Sequence, residues 1–359
     1  MRFRAVLFAL LLLPLLLGAS ARPARAEEPA PLRPAADLVV SGRQGWQNGD
    51  TSRAFDIQRA ELGLPWHNGT LDAEIRLESV RSAPPQSLYG TAGNSLIVRL
   101  KRVWIGGHLD LGPLTLEGRG GLIGDAWVQG NARLYDLREN GAQLAESPGA
   151  FDTSELGLGA RLSWQDHAFL LVTVGNGEGR AQVELNRGKN TTAVLGVRPW
   201  SAVLADTDCD FHVLGVLRDG SQGVASVRSH RAGLAAVLRL PYVKAGGEWL
   251  QAWGLQDDDA RTANGYAAWL QGQWQWLGVW ARTDHWNGDA RLAHAQTDVF
   301  GAGVYVETQP HDFGRWRVGL AWQSTRVGAD VGPVPGQAGL ANDDSVLLRL
   351  AWRTGENEP

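Results

Sequence analysis

Alternation with period two constrains this chain more than any other feature. Leu71-Asp72-Ala73-Glu74-Ile75-Arg76-Leu77-Glu78 sets an apolar residue at every second position and a charge between each pair. Successive side chains of a strand point to opposite faces, so this segment has one oily and one charged face. Similar stretches recur from residue 37 to residue 353, many with Trp near an end. A soluble sandwich would bury the oily faces against a second sheet. Behind a secretory leader, on nearly every strand, the pattern instead predicts an all-β transmembrane antiparallel β-barrel, with the oily face on lipid and the charged face on a water-filled lumen.

The leader occupies residues 1–26. Arg2 and Arg4 precede an apolar run from Ala5 to Leu17, and Ala24-Arg25-Ala26 is a small-residue cleavage site. The run is too short for a spanning helix, and nothing later in the chain approaches one. Residues 27–36 are rich in Pro and Ala and read as a disordered lead, with one barrel domain over 37–359. The 45 Gly and 16 Trp against a single Met suit an all-β membrane protein, because the Trp ring sits at the membrane interface with its N–H wet. A net charge of −4, more acidic once the leader arginines are removed, argues against nucleic acid as a partner. Cys209 is the only cysteine, so no internal disulfide forms.

About sixteen strand candidates follow the lead, near 38–46, 55–66, 71–80, 96–111, 114–123, 156–164, 167–174 and 191–197, then 211–217, 231–240, 242–253, 266–273, 275–282, 299–307, 315–323 and 346–353. Their connections alternate short and long: 67–69 is short and 81–94 long, 112–113 short and 124–150 very long. Outer-membrane barrels have tight periplasmic turns and longer external loops, so the alternation assigns the two sides. The connection 198–210 breaks it, being too long for a turn; a merged or missed strand there would make the count fourteen or eighteen. The long segment 124–150 is expected to fold inward as a constriction loop carrying Arg133 and Arg138.

Assigning the apolar parity to lipid places a set of cations in the lumen. Val98 and Leu100 point out and Arg99 and Lys101 in; Leu114 and Leu116 out and Arg119 in, beside Glu117; Leu158 and Leu162 out and Arg161 in, beside Glu155. The same parity turns Arg231, Arg239, Arg315, Arg317, Arg349 and Arg353 inward. Arg on the lipid face near the midplane would cost roughly 2–4 kcal/mol, which favours this assignment. Each guanidinium offers paired N–H donors to an oxyanion. The alternative is an Arg wall braced by Asp72, Glu74, Glu78, Glu117 and Glu155, which sets a field without selecting strongly.

Trp274, Trp276 and Trp280, with Trp249 and Trp253, read as interface girdles, or else as an aromatic track for sugars. The Asp residues around Cys209 (Asp206, Asp208, Asp210) and the run Asp257-Asp258-Asp259 lack the Gly and terminal Glu of a calcium loop and read as solvated loop charge. No H-E-x-x-H, G-x-S-x-G or P-loop motif occurs, so neither an enzyme nor a cofactor is expected.

Asn176-Gly177-Glu178-Gly179, then Gly188-Lys189-Asn190 and Val197-Arg198-Pro199, resembles the phosphate-selective porin O and P family. Leu100-Lys101-Arg102-Val103-Trp104 and the stretch from Phe151 to Leu162 resemble further strands of that family. The resemblance implies a sixteen-stranded porin of the Gram-negative outer membrane, surrounded by lipid and lipopolysaccharide and assembled as a homotrimer. It also implies an Arg and Lys lining that favours small anionic solutes such as phosphate. Bacterial barrels usually end on an aromatic residue, commonly Phe; here Trp352 holds the outward register, with Gly355 to Pro359 beyond it.

Overall fold

The computed structural model describes residues 34–47, 50–81, 96–135, 137, 143–146, 150–177, 189–221, 227–255, 258–308, 314–328 and 342–354. The expected leader lies outside the described residues, as does Arg138.

The first strands are β1 (Ala35–Gln47), β2 (Asp50–Asn68), β3 (Leu71–Arg81), β4 (Leu96–Leu111) and β5 (Leu114–Gly124). After the inward loop and its short helix α1 (Ala126–Ala132) come β6 (Ser154–Trp164), β7 (Ala168–Gly175), β8 (Asn190–Leu204) and β9 (Thr207–Ser221). Next are β10 (Arg228–Arg239), β11 (Val243–Leu255), β12 (Asp258–Trp274) and β13 (Leu277–Asn287). The chain closes with β14 (Gln296–Glu307), β15 (Arg315–Val327) and β16 (Asp343–Thr354). Each strand pairs antiparallel with its neighbours in chain order, and β16 pairs with β1, so the sheet closes into a barrel. The sixteen candidates expected from the sequence are these sixteen strands, most of them extended by a few residues.

The irregular connection at 198–210 is a strand end that the sequence disguises. β8 runs on past Pro199 to Leu204, with a register shift between Val197 and Trp200 that absorbs the missing proline N–H. It then turns through Ala205 and Asp206, both at positive φ (50° and 57°), before β9 begins at Thr207. Two left-handed residues match the twist of a two-residue hairpin, but no Gly or Asn announces this one. The count is sixteen.

Outside, the barrel is oily. Val98 is 72% exposed and Leu217 68%, and Leu234, Leu320 and Leu348 on other strands point out as well. Trp164, Trp274, Trp276 and Trp316 are exposed at the short-turn end, the placement of an interface girdle. Of the tryptophans weighed as a sugar track, Trp276 lies in the turn before β13, not on the strand. Trp280 faces inward but is buried, so the two do not line a path together.

The apolar core lies inside the barrel and on one side. Residues after β5 turn into the lumen: Asp125 caps α1 by accepting from the N–H groups of Trp127 (2.9 Å) and Val128 (3.2 Å). Trp127, Leu137, Leu144 and Phe151 of this loop pack on inward-facing Val194, Leu214, Leu250, Trp269, Trp280 and Tyr305. Polar latches finish the seam. Trp127 donates its indole N–H to Glu248 (2.7 Å), Arg231 donates to the Ala150 carbonyl (2.9 Å), and Arg282 donates to the Tyr135 hydroxyl. Arg218 pairs with Asp125 and lies over the Phe151 ring, 4.5 Å from its centroid. Burial pushes the Tyr135 phenol up to about 12 and raises the Asp125 carboxyl against the pull of Arg218. The expected constriction loop therefore folds inward, held by an apolar half-wall from β7 to β16.

Two outcomes test this. Ala205→Asn supplies a residue suited to the left-handed position and should stabilise the barrel by about 0.5–1 kcal/mol, read as a higher urea midpoint. Trp127→Ala should cost the docked loop about 3–5 kcal/mol. Trypsin should then cut the loop at its arginines in folded barrels whose heat-modifiable gel mobility is unchanged, while the unaltered protein resists.

Candidate functional site

Opposite the docked loop, the inner wall of β1–β4 is charged rather than apolar. In β3, Glu74, Arg76 and Glu78 turn inward and are buried, while Ile75 between them is 48% exposed to the outside. In β4 a bulge changes the parity. Arg76 pairs with Arg102 but Leu77 with Leu100, leaving Lys101 as the extra residue. Lys101 and Arg102, adjacent in sequence, are therefore both buried and both engage inward carboxylates.

These groups form a continuous lattice. Asp37 lies 3.6 Å from Arg353 and 3.4 Å from Arg59, and Arg59 lies 3.7 Å from Glu61. Glu61 holds Lys101 at 2.5 Å and Arg76 at 3.5 Å. Lys101 continues to Glu78 (3.7 Å), which binds Arg99 at 2.8 Å. Arg76 continues to Glu74 (2.7 Å), which meets Arg102 (3.6 Å) and accepts from the Trp104 indole (3.0 Å). Charges in a low-dielectric wall persist only when paired and hydrogen-bonded. Among the described residues, five cations of β1–β4 and Arg353 of β16 are interleaved with four carboxylates, and Asp72 on the same face of β3 adds a fifth. From the loop side, Glu146 acts electrostatically on Arg59.

The other cations expected to line the pore fall into three groups. Arg119 (over Trp104, 5.6 Å), Arg161 (over Phe169, 4.3 Å), Arg239 and the loop residue Arg133 converge on a niche at the short-turn side of the loop. Arg231 and Arg349 face inward but are buried, Arg231 beneath Ala150. Arg315 and Arg317 share Glu307 at 3.3 Å and 2.5 Å, near the short-turn rim.

The family-like motif is a strand clamp in the described part. Gly177, at φ +86°, donates its N–H to Glu155 (2.6 Å), and the Asn190 amide donates to the same oxygen (3.0 Å). Asn176 donates its N–H to the Leu156 carbonyl, and Lys189 leads directly into β8. Glu178 and Gly179 lie outside the described residues. Of the aspartates read as loop charge, only Asp206 lies in a turn among the described residues. Asp208 and Asp210 lie on β9, Asp210 buried and 3.1 Å from His212. Asp258 and Asp259 open β12, with Asp258 bound by Arg291 (2.7 Å), and Asp257 lies outside the described residues.

Sequence reasoning missed Arg59, Arg76, Arg102, Arg218 and Arg282. Arg76 shares the parity of Glu74 and Glu78 and was available to the same argument. Arg102 was hidden by the bulge. Arg218 lies beyond the apolar stretch that marked its strand, and Arg282 reveals its role only through the loop it holds.

No protein-family model matches the chain, and no curated protein matches it. Solved structures of porins do. A Salmonella typhi OmpF in complex with daunomycin superposes with a TM-score of 0.63 at 13% identity, covering 90% of this chain and 97% of that one. An anion-selective porin from Comamonas acidovorans gives 0.60 at 11% identity, covering 90% and 99%. A porin refined at 1.8 Å resolution gives 0.51 at 10% identity, covering 90% and 100%. At such identities the likeness is one of fold: the chain has the porin fold.

Proposed function

We propose that the chain is an outer-membrane porin, a passive water-filled channel for small hydrated solutes that prefers anions such as phosphate. It would work in a Gram-negative outer membrane as a homotrimer, after removal of residues 1–26. The porin fold and the oily outer belt support the channel. The observation that supports selectivity is the run of inward guanidinium and ammonium groups (Arg59, Arg76, Arg99, Lys101 and Arg102) on the β1–β4 wall facing the docked loop. Hydrocarbon excludes hydrated ions; a lumen that replaces it with water and fixed charge lets them pass. Inward guanidinium and ammonium groups raise the local anion concentration and replace part of the hydration lost at a narrow passage. The many carboxylates in the lattice favour a second reading, a weakly selective channel whose wall mainly sets a transverse field.

The reversal potential across a planar bilayer under a KCl gradient separates the readings. A potential favouring chloride, with current reduced by added phosphate, is expected; a potential at zero or favouring potassium would leave the weakly selective channel. Lys101→Gln removes a cation between Glu61 and Glu78 and should lower the chloride-to-potassium permeability ratio roughly two- to fivefold. The preference should also weaken between 0.1 M and 1 M KCl, as the screening length shrinks from about 10 Å to about 3 Å.

A further inference from the structure

The niche beneath the docked loop is chemically unlike the lattice wall. It is a cavity of about 330 Å³ between α1 and the inner faces of β5–β10, beside the turn Gln165-Asp166-His167. Five arginines reach it: Arg119, Arg133, Arg161, Arg198 and Arg239. Against them stand Asp210, 3.8 Å from Arg239, the outward-reaching Asp166, 3.4 Å from Arg198, and Glu117, the cross-strand partner of Arg161. Among the described residues cations outnumber carboxylates here, and they share the cavity with Phe169, Leu134, Leu171 and Leu214.

Its central element is built in advance. The Phe169 ring lies across Gly196, where even a Cβ would come within 2.2 Å of the ring. Arg161 stacks on that ring at 4.3 Å, and its Nε donates to the Ser163 hydroxyl (3.0 Å). The guanidinium is thus held by the ring and the hydroxyl, and its two Nη groups make no hydrogen bond to any described residue. Arg133, at the C-terminal end of α1, is positioned by its carbonyl, which accepts from Arg239 (2.9 Å). Arg161 lies in the electrostatic field of both Arg119 and Arg133, like charges that a dianion would relieve. Arg198 Nε is buried without a hydrogen-bond partner among the described residues.

We propose that this niche is a docking subsite for organic anions that join an oxyanion head to a flat apolar body, such as aryl phosphates. The head would take the paired donors of Arg161 and Arg133, and the body would lie against Phe169 and Leu171. An inorganic anion uses only half of this surface. The subsite gives the proposed channel a solute class, and in that sense rests on the channel reading, but binding itself does not require conduction.

The test is calorimetric titration of the refolded barrel in detergent with phenyl phosphate and, separately, inorganic phosphate. Phenyl phosphate is expected to bind roughly tenfold more tightly, from aromatic and guanidinium stacking. Phe169→Ala should erase that advantage and, because the ring also supports Arg161, weaken inorganic phosphate by a smaller factor, whereas Phe169→Leu should narrow the advantage; Arg161→Gln and Arg133→Gln should weaken both ligands. Heat-modifiable mobility checks that each variant is folded, and Arg133, exposed on the loop, serves if Phe169→Ala is not. Equal affinity for the two ligands, or no binding of either, would overturn the subsite even where the reversal potential favours chloride. Tight phenyl phosphate binding with no chloride preference would keep the subsite and remove the anion-channel reading.

Discussion

The structure depends on the pairing of β1 with β16. A sheet with oily outer residues can sit in hydrocarbon only if every backbone N–H and C=O finds a partner within it, and an open edge would leave a row of them bare. The register from Ala36 opposite Thr354 to Trp46 opposite Asp344 removes that edge. Closure also sets the curvature that brings Arg353 of the last strand to Asp37 of the first, so the charged lattice crosses the seam. Side-chain chemistry and backbone closure meet at the same place.

Within the closed wall, two halves of the lumen have different solvents. β1–β4 carry paired charges, whereas β7–β16 carry apolar side chains that the loop covers. The loop accordingly behaves as part of a core, with its own buried tryptophan and its own polar latches. The space left in the lumen lies between a charged wall that cannot move without unpairing its neighbours and a loop face anchored from behind. Both boundaries are rigid for separate reasons, one electrostatic and one steric.

Strand positions were legible because lipid on one side and water on the other enforce alternation, and the outward residues of β4, β15 and β16 obey it. Failures occurred where a local irregularity broke the period. Pro199 looked like a strand end but sits in a bulge, and the turn at Ala205-Asp206 has no sequence marker. The bulge at Lys101 put two consecutive cations on one face, which parity forbids. The inward apolar wall was the larger omission. Val194, Leu214 and Trp280 alternate with equally apolar outward neighbours, so those strands show no contrast between faces. Only the loop, brought there by tertiary folding, explains why the inside is oily.

That one-sided core bears on how the bore could ever be widened. Removing the segment from Ala126 to Phe151 would uncover Trp269, Trp280, Leu214 and Leu250 to the lumen. A passage bounded by such residues holds water poorly, and its liquid column breaks where the surface is greasy. A shortened chain would gain cross-section and lose wetness together. The loop is thus less a plug in a wide pipe than the layer that keeps the pipe wettable.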